Sequence, residues 1–173
     1  MDKPVYVTRF NNETFNQNRR YCETYDGKEC IYNTPVVFNN KTRENNHIYV
    51  LEMNNSINKI VGIGRITHHS YVRKHKMYID PHYNSYSYEG KYRLDINDCT
   101  TEIIDIVTDL EKVIFYTKGH IKRGQGIQCL PVNAYRVCED ICETRDKGLY
   151  DYIHELFMSK NMVGRDIYTK NDE

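Results

Sequence analysis

The sequence predicts an α+β domain: a small curved mixed sheet, or an open β-barrel, with flanking helices. Three observations carry this. Residues 47–53 (HIYVLEM) and 59–66 (KIVGIGRI) are apolar strand-like runs separated by Asn54-Asn55-Ser56, as in a buried antiparallel hairpin. Residues 86–96 (YSYEGKYRLDI) alternate, with Tyr86, Tyr88, Tyr92, Leu94 and Ile96 on one face and Ser87, Glu89, Lys91, Arg93 and Asp95 on the other. Residues 101–115 instead repeat Ile103, Val107, Leu110 and Ile114 at helical spacing.

Taken in order, residues 4–9 (PVYVTR) read as a short strand. Thr14-Phe15-Asn16-Gln17 is a capping-box pattern and predicts a short helix to about Tyr25. Asp26-Gly27 makes a turn, and residues 36–38 read as a short strand. The hairpin of 47–66 follows, with Gly62 and Gly64 placed as bulges or bends. Residues 67–85 are polar, hold four histidines, and predict a long, mobile, mildly basic loop. After the strand of 86–96 and the helix of 101–115, residues 119–130 (GHIKRGQGIQCL) read as a strand interrupted by glycines. Pro131 ends it and opens a helix over about 133–143. A last helix covers 149–158, with Leu149, Tyr152, Ile153, Leu156 and Phe157 inward. The whole reads as one α+β domain over residues 1–160 with a polar tail, 161–173.

At 173 residues the chain can bury a core without staples. Its 39 % hydrophobic content excludes a disordered chain. Lys plus Arg and Asp plus Glu each total 24, which excludes a histone-like polycation but not a local basic face. No apolar run approaches the roughly 18 residues of a membrane span, and the N-terminus lacks the apolar core of a signal peptide. An intracellular protein with reduced thiols is therefore expected. Its six cysteines form no C-x-x-C pair, so no metal site is expected, although Cys138 and Cys142 share a helix face. The sequons at Asn12, Asn40 and Asn54 read as chance matches in an Asn-rich chain. One alanine, no tryptophan and 16 tyrosines suggest an AT-rich genome, such as that of a large DNA virus or a parasite.

Residues 48–66 (IYVLEMNNSINKIVGIGRI) are similar to the hairpin of PUA-like domains, the superfamily of the EVE, ASCH and YTH groups. Residues 120–135 (HIKRGQGIQCLPVNAY) resemble the closing strand of EVE-type domains, where a basic, small-residue strand runs into a proline and a helix. Asn18-Arg19-Arg20 stands where those domains carry polar and basic residues after the first strand. The resemblance spans roughly residues 4–143. It implies a pocket beside the barrel that accepts a flipped or modified base. YTH-type pockets use tryptophan to cage a methylated base, and this chain has none, so any cage here would be built from tyrosine.

The candidate site follows from residue chemistry. Lys118, His120, Lys122 and Arg123 are the densest basic stretch, flanked by Gly119, Gly124 and Gly126. Glycine lets backbone approach phosphate, and Lys or Arg supplies charge. Gly124 and Gly126, beside Gln125, are expected to form a binding floor with ordinary strand dihedrals. Lys91 and Arg93 share the polar face of their strand, and Arg65 ends the GIGR strand. In a closed barrel Arg65, Arg93 and Arg123 would converge on one rim, suited to phosphate or a guanine edge. His68, His69, His75 and His82 match no common metal-ligand spacing. No nucleophile elbow or other catalytic constellation stands out, and no cofactor is implied.

The expected function is a non-enzymatic module binding single-stranded nucleic acid, RNA or DNA, or a flipped or modified base. Its site would be Arg65, Lys91, Arg93, His120, Lys122, Arg123, Gly124 and Gln125. The alternative is a structural or protein-interaction component, such as a virion or assembly protein, and the neutral net charge favours it.

Overall fold

A computed structural model describes residues 3–39, 47–142 and 147–162, the side chains of 138–142 excepted. Strands β1 (Tyr6–Phe10), β2 (Cys30–Thr34), β3 (Ile48–Asn54), β4 (Lys59–Ile66), β5 (Ser70–Val72), β6 (Tyr86–Gly90), β7 (Tyr92–Asp95) and β8 (Gln128–Cys129) form two sheets. The helices are α1 (Asn12–Thr24), α2 (Thr101–Tyr116), α3 (Val132–Cys142) and α4 (Leu149–Ser159). One sheet runs β7-β4-β3-β1-β8, with β1 and β3 parallel and the other pairs antiparallel. The other, antiparallel throughout, runs β2-β6-β5.

The predicted α+β class is borne out, but the sheets do not close into a barrel. They share a bent hairpin instead. β4 pairs with β7 in the first sheet, and β5 continues that partnership with β6 in the second. The Thr67 N–H donates to the Glu89 carbonyl at the crossing. Gly90 makes the corner, because a Cβ there would lie 1.9 Å from the Arg65 carbonyl oxygen.

Alternation divides the core into layers. Val5, Val7, Tyr49, Leu51, Ile63 and Leu94 face α2, α3 and α4 and pack on Ile106, Leu110, Ala134, Ile153 and Phe157. Tyr6, Phe10, Ile48, Val50 and Ile66 face the second sheet and pack on Cys30, Tyr32 and Tyr88. A bulge between Glu52 and Met53 sets Ile60 opposite Met53 and adds it to the helix-side core. Nearby, the buried Glu111 of α2 accepts from the Ile60 N–H and from Lys59 Nζ, both at 2.8 Å.

Several predicted elements are corrected. Asn11, not Thr14, is the N-cap of α1; its side chain accepts from the Thr14 N–H, and Thr14 Oγ1 reciprocates as the third helical residue. Residues 36–38 are not a strand, while 30–34 are. Residues 119–130 are mostly loop, with strand only at Gln128–Cys129. The run 86–96 is two strands broken at Lys91. That one extra residue reverses the facing pattern: Tyr88 and Arg93, five apart, both point between the sheets. Among the described residues no helix is long and apolar enough to cross a membrane. Cys22, Cys30, Cys99 and Cys129 are thiols outside any disulfide. Asn40, the side chains of Cys138 and Cys142, and the tail from residue 163 lie outside the described residues.

Candidate nucleic-acid interface

Two of the three arginines expected on one rim are committed inside the fold. Arg93 lies across Gly64 in the β4–β7 ladder, on the face towards the second sheet. Its Nε and Nη2 donate to both carboxylate oxygens of Glu52, at 2.6–3.1 Å. Tyr32 Oη donates to the same carboxylate at 2.7 Å. Gly62 and Gly64 leave room for this triad: a Cβ on Gly62 would lie 2.4 Å from Arg93 Nη2, and one on Gly64 2.0 Å from Tyr32 Oη. Arg65, one residue on from Gly64, has the opposite facing. It is buried, donates to His47 Nδ1 at 2.6 Å, and lies over the Tyr92 ring. Arg65 and Arg93 therefore do not share a rim with Arg123.

The glycine pairs also exchange roles. Gly124 (φ 151°) and Gly126 (φ 72°) adopt left-handed backbone, while Gly62 and Gly64 do not. Gly62 and Gly64 make space, and Gly124 and Gly126 turn the chain.

Lys91 is exposed but remote from the basic stretch. It follows Gly90, which pairs with Cys30 at the start of β2. Gly126 lies against Thr34 and Val36 at the other end of β2. Four strand steps, about 13 Å, separate those ends. The cleft around Lys91 also holds Arg19, Lys28 and Arg93, but Glu23, Asp26, Glu29, Asp95 and Asp98 line it as well. Such a mixed surface does not suit a polyanion.

At the far end of the second sheet cations predominate: Arg73, Lys76 and His82 are exposed there, with Asp80 the one carboxylate of residues 73–85. Thr34, Tyr86 and Val72 lie side by side across β2, β6 and β5. The chain leaves β5 at Arg73, whose backbone is left-handed (φ 50°) and whose N–H donates to the Ser85 carbonyl. The loop to Ser85 is pinned from within, contrary to the mobile loop expected. Asn84 Oδ1 accepts from Asn33 Nδ2 and the N–H groups of Met77 and Tyr78, and Asn84 Nδ2 donates to the Tyr78 carbonyl. Asp80 caps the short turn opened by Pro81 by accepting from the His82 N–H. This scaffold opens a cleft of about 680 Å³ lined by Arg73, Lys76, Tyr78, Ile79, Pro81 and His82, with Asn84 and Ser85. No carboxylate lines it, and Arg73, Lys76 and His82 are exposed.

The second basic segment touches the second sheet through Gly126. Residues 117–127 leave α2 and cross the end of β1, and Gly126 meets Thr34 and Val36. Asn55 Nδ2 holds the Lys122 carbonyl at 2.9 Å, and Arg9 Nε holds that of Ile121. Lys118, His120, Arg123, Gly124 and Gln125 are exposed, and Lys122 is half-buried. Val36, Val37, Val72, Ile79 and Tyr83 are exposed; Val36 lies against Gly126, Ile79 lines the cleft and Tyr83 packs on His82. Sequence reasoning missed Arg9, Tyr78 and Ile79. Arg9 is the next-to-last residue of an ordinary strand, and nothing local in PVYVTRF marks it.

The four histidines of 67–85 do not act together. His75 is fully buried; its Nε2 meets Glu89 Oε1 at 2.6 Å, and its Nδ1 meets Tyr21 Oη at 3.0 Å. His69 packs on Tyr71, and His82 on Tyr83. Among the described residues no group of three or more His, Cys, Asp or Glu could hold a metal. Burial alone would raise the Glu89 carboxyl, but hydrogen bonds from Lys74 and His75 and the nearby Lys28 bring it below the usual value. A lowered carboxyl stabilises the fold above its unfolded value, and that contribution disappears as pH falls through the lowered native one. The stability gap between wild type and Glu89→Gln should therefore be full at neutral pH and close below about pH 4.3. Urea melts across pH check this; a gap that widens in acid would contradict it.

Compared with protein families, curated proteins and solved structures, the chain matches none of them.

Proposed function

We propose that this protein binds single-stranded nucleic acid, without acting on it chemically, across the end of the second sheet where Arg73, Lys76 and His82 lie, with the strand running on to the 118–123 segment. The observation that carries the reading is the 680 Å³ cleft with three exposed cationic or titratable side chains and no carboxylate. Tyr78, Ile79 and Pro81 in its lining give a base an apolar face, and the cations meet phosphates. Arg123 and His120 extend the charge along the strand's path. The sheet that bends at Gly90 supports a PUA-like half-barrel, in which a pocket beside the sheet takes an unstacked base.

A second reading rests on the exposed Val36, Val37, Val72 and Ile79, which equally suit a protein partner. Salt dependence separates the two. Titration of labelled oligo(dT) and oligo(U) should give a log Kd rising linearly with log salt, at about 0.7 per phosphate contacted. Arg73→Glu with Lys76→Glu and Arg123→Glu should weaken binding at least about tenfold and flatten that slope. Binding that ignores both salt and the triple variant would contradict this site, and no binding of either oligonucleotide would favour the protein-partner reading.

A further inference from the structure

The nucleic-acid reading leaves the cleft around Lys91 unused. Its volume of about 590 Å³ lies within the range of about 300–1,000 Å³ of small-molecule sites. The charge of its lining is not balanced. Arg93 is neutralised by Glu52, which stands outside the lining. Arg19, Lys28 and Lys91 then face five carboxylates, and Lys28 pairs with Glu89, also outside the lining, at 3.4 Å. Of the five, Glu23, Asp26 and Asp98 are exposed and make no ion pair among the described residues. The cleft therefore favours a guest of net positive charge.

One donor inside it asks for an anion. The Arg93 side chain is only 9 % exposed. Its Nε and Nη2 donate to Glu52, whereas Nη1 makes no hydrogen bond among the described residues and is not closed off from solvent. The nearest carboxylate oxygen, Asp95 Oδ2, stands 3.9 Å from it, beyond hydrogen-bond reach. Arg93 lines the cleft, so Nη1 opens into it. Arg19 is its neighbour through Glu29: Arg19 Nη1 donates to the Glu29 carbonyl, and the Arg93 N–H to the Glu29 carboxylate. A guest must then carry one anionic group for the arginines and more positive than negative charge for the carboxylates. A nucleotide or a dicarboxylic acid fails the second condition, and a simple amine fails the first. A basic amino acid, with one carboxylate and two cations, meets both.

We propose that this cleft binds a free basic amino acid, its carboxylate on Arg93 Nη1 and Arg19 and its cations among Glu23, Asp26 and Asp98. The site does not rest on the nucleic-acid reading. Titration of the whole protein with L-arginine, followed by amide NMR shifts, should saturate and move residues 19–29 and 91–98. Agmatine, which is arginine without the carboxylate, should bind at least about tenfold more weakly, because it loses a charged hydrogen bond. L-Glutamate should not bind. Asp26→Asn with Asp98→Asn should weaken L-arginine binding about tenfold and leave the melting temperature unchanged, since neither exposed carboxylate supports the fold. Shifts that do not saturate or that lie outside the cleft, agmatine binding as tightly as L-arginine, or an affinity unchanged in the double variant would each overturn the proposal.

Discussion

Replacing Arg93 by alanine is expected to cost about 3–5 kcal/mol of stability, among the largest single-residue effects in the molecule. Glu52 is fully buried, and Arg93 is 9 % exposed. Removing the guanidinium leaves a carboxylate between two sheets with one remaining side-chain donor among the described residues, Tyr32 Oη. Burial and Glu52 together hold the Tyr32 phenol well above its usual range, so it remains a donor at any ordinary pH. A hydroxyl cannot replace two charged N–H donors. Removing both charges is expected to be far milder: Arg93→Met with Glu52→Gln leaves no uncompensated ion and should recover much of the loss. Chemical denaturation of the single and double variants checks this. A double variant as unstable as Arg93→Ala would contradict the buried-charge account.

Gly90→Ala is expected to destabilise by about 3 kcal/mol, the upper part of the range for overpacking. The new methyl would lie 1.9 Å from the Arg65 carbonyl oxygen and 2.5 Å from Cys30 Sγ. The first obstacle is backbone in a paired strand and cannot rotate away. Cys30 is fully buried and points its thiol at the Arg65 and Tyr92 carbonyls. The corner between the sheets would have to open. Gly27→Ala serves as the comparison: a Cβ there meets nothing, and only its left-handed φ of 76° opposes the change, at about 1 kcal/mol. Thermal melts that rank Gly27→Ala as the more damaging would count against a close-packed corner at Gly90.

The elements legible in the sequence are those whose pattern has one cause. Ile103, Val107, Leu110 and Ile114 recur at helical spacing because one side of α2 meets the sheet, and that pattern survives folding unchanged. The 48–66 hairpin is legible because both its strands are buried on two faces. Where two causes overlap, the pattern misleads. Residues 86–96 alternate as one strand, yet the chain changes sheets at Gly90 and Lys91. Arg93 therefore turns inward to Glu52 rather than outward beside Lys91. The two G-x-G pairs look alike, but what each glycine meets is set by Tyr32, Glu52 and Arg93 on one side and by Arg9 and Val36 on the other. Those neighbours are distant in sequence. The basic character of residues 73–76 and 118–123 was readable. The register that sets Thr34, Tyr86 and Val72 side by side, and the contact of Gly126 with Thr34 and Val36, were not.

Amide hydrogen exchange with and without a single-stranded oligonucleotide tests the central claim most directly. Binding at the proposed face should slow exchange across residues 72–86 and 118–127 together. The cleft around Lys91, Asp95 and Asp98 should stay unchanged. Protection confined to that mixed-charge cleft, or no protection of either basic segment in a saturated sample, would contradict the account.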